Sequence, residues 1–93
     1  MKGATILPFE GKTPQVGKNV LLCTGVCITG DIVIKDNANL WFNVAARGDV
    51  NYIRIGESTN IQDNSVIHVT YEGAATIIGD KVTVGHNAIL HAC

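Results

Sequence analysis

Charge is scarce in this sequence. Asp, Glu, Lys and Arg make up 16% of its 93 residues and leave a net charge of −1, where a soluble domain usually carries about 25% charged residues. Aromatic residues are only 5%. With no basic stripe and few rings to stack on bases, a nucleic-acid surface is not expected. No apolar run is long enough to span a bilayer. Met1-Lys2-Gly3 opens the chain without the apolar core of a signal peptide, so a cytoplasmic setting is expected. The cysteines, Cys23, Cys27 and Cys93, are odd in number and show no paired framework, which fits a reducing compartment. Proline is confined to Pro8 and Pro14, so residues 1–15 read as an extended lead-in to one domain over 16–93. Helix is excluded differently: Gly, Asn, Asp and β-branched residues recur too often for a 3.6-residue apolar face.

What the chain does have is a repeat. Val16, Leu22, Ile28, Ile34, Leu40 and Ala46 follow one another at six-residue steps. The step resumes at Ile55, Ile61 and Ile67, then at Ile78, Val84 and Leu90. Every one of these positions is aliphatic, and the fifth place of each unit is mostly small or branched, as at Val20, Val26, Ile32, Ala38, Val44, Val50, Thr59 and Ser65. A fixed short period marks a solenoid, and a six-residue period predicts an all-β fold, a parallel β-helix. Each unit is a short strand and a corner, and units taken in threes close one coil of a triangular prism, which predicts about four coils. Val16, Ile34, Ile55 and Ile78 then share the first face. Leu22, Leu40, Ile61 and Val84 share the second, and Ile28, Ala46, Ile67 and Leu90 the third. The slip at Asn51–Arg54 and the interruption near Gly73–Ile77 read as loops at corners. The pattern does not set handedness; the crossover rule alone predicts a right-handed coil.

All the histidines, His68, His86 and His91, lie in the last third of the chain. Singly, such residues are most often solvated or hydrogen-bonded. His68 and His91, however, take the second place of third-face units one coil apart. A rung spacing of about 4.7–4.9 Å lets both rings reach one ion, and imidazole is the commonest zinc ligand. His86 falls on the second face, with a prism edge between it and His91. If all of them bind one ion, the simplest arrangement takes His86 from a neighbouring subunit, and closing that contact gives a three-fold oligomer. Arg47 lies one rung before His68, and Asp63 one rung before His86. Those two could pair across the same interface, while Asp49 is near enough in sequence to orient Arg47 in its own subunit. Trp41 and Phe42 on the second face offer an apolar anchor there.

The segments Arg47-Gly48-Asp49-Val50-Asn51, Asn60-Ile61-Gln62-Asp63-Asn64-Ser65-Val66-Ile67-His68, Ile78-Gly79-Asp80 and Gly85-His86-Asn87-Ala88-Ile89-Leu90-His91 closely resemble the γ-class carbonic anhydrase family. The resemblance runs from about Val16 to the end. It implies a left-handed β-helix and a homotrimer whose zinc ion (Fe²⁺ or Co²⁺ being alternatives) is held by His68 and His91 of one subunit and His86 of the next. It implies metal-hydroxide hydration of CO₂ to bicarbonate, with Gln62, Arg47 and Asp49 as catalytic residues. Gln62 would touch the solvent on the metal, Arg47 and Asp49 would form an ion pair, and Asp63 would join across the interface. Val50 stands where the best-characterised members carry a glutamate, and Glu72 is the only carboxylate in the loop after His68. Members continue past the position of Cys93 with further coils and a C-terminal helix, so this chain is expected to lack that part and its helix. The alternatives are a non-catalytic hexapeptide-repeat assembly protein that keeps the metal for structure, and an acyltransferase using one histidine as general base.

Overall fold

Aliphatic side chains at every sixth residue need a common interior, and the chain gives them one by winding. The computed structural model describes residues 3–93; Met1 and Lys2, the start of the expected lead-in, lie outside them. Among the described residues there are eleven strands and no helix. They are β1 (Thr5–Leu7), β2 (Gln15–Val16), β3 (Leu21–Leu22), β4 (Cys27–Ile34), β5 (Asn39–Leu40), β6 (Ala45–Ile55), β7 (Asn60–Ile61), β8 (Val66–His68), β9 (Thr76–Ile78), β10 (Thr83–Val84) and β11 (Ile89–His91). Every pairing between strands is parallel.

The register reproduces the six-residue bookkeeping. Val16 pairs with Ile34, Ile34 with Ile55 and Ile55 with Ile78 along the first face. Leu22, Leu40, Ile61 and Val84 pair in turn along the second, and Ile28, Ala46, Ile67 and Leu90 along the third. The lead-in adds one more rung, since Ile6 of β1 pairs with Ile28. The fold is a left-handed parallel β-helix of about 4 coils, so the crossover rule points the wrong way. Its warrant is a long twisted strand feeding a helix that packs back on the sheet. Here most strands are two or three residues long and meet at tight corners, β4 and β6 being the exceptions, and corners are turned by left-handed residues such as Asn19, Asn37, Asn43, Asn64 and Asn87. Asparagine is one of the few residues that visits this region routinely.

The interior is one column of stacked aliphatics. Leu22, Ile28, Ile34, Leu40, Ile55, Ile61 and Ile67 are almost wholly buried, and Val16 and Leu90 at the two ends only partly. Each such side chain contributes roughly 1.5–3 kcal/mol relative to exposure. The fifth places fill the corners. In the first two coils Val20, Val26, Ile32, Ala38 and Val44 are buried. In the third coil the corners are Thr59, Ser65 and Thr76, each fully buried. Each hydroxyl donates to a backbone carbonyl (Gly79 at 2.6 Å, Gly85 at 2.8 Å, His68 at 2.6 Å). Each also accepts a fourth-coil N–H, from Val82, Ala88 and Ala92 respectively. No buried side-chain polar atom is left without a partner among the described residues.

The loops fall earlier than the sequence pattern suggests. Val50, taken as a fifth-place residue, is exposed, and Ile53 takes the core position by pairing with Ile32. The register shift lies between Gly30 and Ile32, so the first bulge is residues 49–52 rather than Asn51–Arg54. The cause is local. Gly30 (φ 85°) and Gly48 approach so closely that a methyl at Gly30 would collide with the Gly48 carbonyl, and β6 leaves the ladder just after that contact. The second loop is residues 70–75, after buried Val69. Asn51 ties the two loops together, donating to the Thr70 and Gly73 carbonyls at 3.3 and 3.1 Å. Asp31 holds the other side of the bulge, 3.1 Å from Arg54 and 3.4 Å from Lys12.

Candidate metal centre

Parallel strands in register stack like side chains on one another, and β8 and β11 do this with histidine. His68 and His91 are register partners, and their rings lie 5.3 Å apart, tilted by 45°. Below them on the same face Arg47 is mostly exposed, its guanidinium 2.6 Å from Asp49 Oδ2. The other carboxylate oxygen of Asp49 accepts the Val50 N–H at 2.8 Å and lies 3.0 Å from His68 Nε2. Burial alone would push the Asp49 carboxyl up. The Val50 N–H, the His68 ring and the Arg47 charge outweigh it and hold the group below its ordinary value. Asp49 is therefore ionised at neutral pH and can only accept, so the His68 Nε2–H donates to it. A carboxylate that orients a ring in this way is the usual outer partner of a metal-binding histidine.

The second face carries the rest. His86 follows β10 and is well exposed, with Nδ1 3.6 Å from Asp63 Oδ1. Together with Trp41, Asn60 and Gln62 these residues line an open cleft of about 290 Å³. Trp41 meets Phe42 edge-on at 6.0 Å. The chain thus gathers His68, His91, Asp49 and Arg47 on one face and His86, Asp63, Gln62 and Trp41 on the other. Within a single copy, no three His, Cys, Asp or Glu side chains among the described residues come together to hold an ion. The paired imidazoles of His68 and His91 fit half of a tetrahedral zinc set by donor chemistry. Arg47 faces Asp49 and Asp63 faces His86 in the single chain.

Two sets of contributors were not picked out from the sequence. Asn39 and Asn60 sit in register on β5 and β7 and link Trp41 to Gln62 by side-chain hydrogen bonds. Thr76 binds the His68 carbonyl and the N–H that follows His91. Thr59 and Ser65 were visible as hydroxyl residues at fifth places, but Thr76 fell inside the stretch near Gly73–Ile77 that reads as a loop.

No family model matches the chain. A carbonic anhydrase of Geobacillus kaustophilus is 47% identical over 87 residues, covering 94% of this chain and 47% of its own length. The mitochondrial gamma carbonic anhydrase 2 of Arabidopsis thaliana is 39% identical over 94 residues, covering 96% of this chain and 34% of its own. A hexapeptide transferase family protein of Anaplasma phagocytophilum superposes with a TM-score of 0.91 at 42% identity, over 100% of this chain and 53% of that one. The chain belongs to the γ-class carbonic anhydrase family of hexapeptide-repeat proteins. It spans about half the length, or less, of the carbonic anhydrases it matches.

Proposed function

We propose that this chain is a γ-carbonic-anhydrase-like metalloprotein that hydrates CO₂ to bicarbonate at sites shared between copies of a homotrimer, in a cytoplasmic setting. The observation that carries the reading is the division of the histidines. His68 and His91 are stacked on one face, while His86 stands on another with no second histidine within its reach. A zinc ion (or Fe²⁺ or Co²⁺) would be held by His68 and His91 of one copy and His86 of the next. When bound, such an ion supplies a field that lets water ionise near neutral pH. Asp49 fixes the tautomer of His68, and Arg47 keeps Asp49 charged. Gln62, two residues along β7's exit from Asn60, orients the attacking oxygen by hydrogen bonding. Trp41 and Phe42 exclude water from the contact between copies, and Asp63 holds the His86 ring at the position where it meets the partner. With Val50 next to Asp49 in the bulge and Glu72 the only carboxylate of the loop after His68, proton export is left to buffer.

The names of solved neighbours include transferases, and a non-catalytic role for the ion is the remaining alternative. One set of measurements separates these. The mass in solution, the bound metal and stopped-flow CO₂ hydration are measured for wild type and His86→Ala. The proposal expects a trimer, about one ion per chain, and hydration that disappears with the ion in the variant. A stable monomer, or hydration that survives without metal, defeats it; metal without turnover selects the assembly role, and acetyl transfer from acetyl-CoA the third.

A further inference from the structure

Most side-chain amides can be turned end for end without changing their shape, so their polarity has to be set by a neighbour that cannot turn. On the second face that neighbour is Trp41. An indole N–H only donates, and Trp41 Nε1 lies 2.7 Å from the side chain of Asn39, so the atom it meets must be the carbonyl oxygen Oδ1. The same oxygen accepts Asn60 Nδ2. Asn60 therefore presents its own Oδ1 on the other side, where it accepts Gln62 Nε2 at 2.9 Å. Reversing any amide in this row would set nitrogen against nitrogen or oxygen against oxygen. In a partly buried row such a mismatch is costly and each correct bond strengthens the next.

We infer that Trp41 and Asn39 are positioning residues that fix the polarity of Gln62, so that its free end in the cleft beside His86 is the acceptor Oε1. The cleft is thereby suited to a ligand atom that brings a proton, a water, a hydroxide or the O–H of a protonated oxyacid such as bicarbonate. It is ill-suited to a bare carboxylate or carbonate oxygen. The catalytic consequence rests on the function proposed above; the polarity itself does not.

Neutron diffraction from deuterated crystals of the full chain reads the polarity directly. Wild type is expected to show deuterons on the Gln62 nitrogen that faces Asn60. Trp41→Phe keeps the ring and removes the donor, so Gln62 is expected in both orientations. Asn39→Asp, which can only accept, is expected to keep the wild-type orientation. A Gln62 nitrogen directed into the cleft of wild type overturns the inference, as does one unchanged orientation in Trp41→Phe. If Trp41→Phe fails to fold, the wild-type map and Asn39→Asp still decide. In the ion-loaded protein kcat for CO₂ hydration is expected to fall about twofold in Trp41→Phe, as the share of correctly oriented Gln62 drops to about half, at unchanged ion content and trimer mass. A fall that tracks loss of ion overturns the positioning role. A wild type that orients Gln62 as described but never hydrates CO₂ defeats the functional reading and leaves the amide assignment standing.

Discussion

In the first two coils the corners of the prism are aliphatic, and Val20, Val26, Ile32, Ala38 and Val44 close them by packing alone. In the third coil the same places hold Thr59, Ser65 and Thr76, which bond upward to N–H groups of the fourth coil. The histidines and Gln62 all lie in these upper two coils. The lower half thus supplies burial, which does not care about small shifts along a rung. The upper half adds bonds of fixed direction where His68 must stay beneath His91. A scaffold needs the first; the shared ion proposed above would need the second, because coordination tolerates little misplacement.

The sharpest way to break the comparison is to empty the upper half of its ligands. His68→Ala and His86→Ala are each expected to lower zinc affinity roughly a thousandfold, beyond the 10–100-fold typical of outer partners, by competition with a chelating dye. Neither should shift the urea midpoint of metal-free protein much. Refolding the two variants together should restore about a quarter of the sites, because random mixing in a closed three-fold ring pairs intact faces that often. No recovery would mean the ligands do not come from different copies.

Burial should show no such bias between halves. Ile28→Ala below and Ile67→Ala above are both expected to cost about 2–5 kcal/mol by urea unfolding. Both side chains are fully buried. Exposed Ile77→Ser should stay within about 0.5 kcal/mol. The corners should then separate the halves. Thr76→Val keeps the shape but removes the hydroxyl that bonds both the His68 carbonyl and the Ala92 N–H, leaving them only their mutual 3.2 Å bond, at about 1 kcal/mol. Val44→Thr, which buries a hydroxyl in the lower half, should cost a similar amount. If Thr76→Val were neutral, the directional joint would be unnecessary.

The smallest expected effect is a pH dependence. Asp49 titrates below its ordinary 3.8 in the folded chain. Its contribution is therefore present above that value and is lost as pH falls through the lowered one. Urea midpoints measured down the acid limb should fall less steeply in Asp49→Asn than in wild type.

Much of this was legible in the residues. A six-residue step admits only one inside and one outside, so Leu22, Leu40, Ile61 and Val84 declared a face before any coordinate did. The placement of His68 under His91, with His86 around an edge, followed from the same count. The bulge was misplaced because Val50 satisfies the aliphatic rule for a fifth place as well as Ile53 does. Only the approach of Gly30 to Gly48 decides between them, and that is a contact between coils. Handedness did not come from periodicity, which is the same for a coil and its mirror image; the γ-class resemblance implied the left-handed coil, and the fold has it. The Asn39–Asn60 row escaped because it joins residues 21 apart by register and polarity, which a pattern of types does not carry.

The hydroxyl corners also give the molecule an uneven response to cold. Apolar contacts lose strength as temperature drops, because their driving force near ambient conditions comes from the entropy of water. Hydrogen-bonded joints do not draw on that entropy. Chilled toward freezing, the prism should loosen first around Val26 and Val44, while the seam sealed by Thr59, Ser65 and Thr76 keeps His68 and His91 in step.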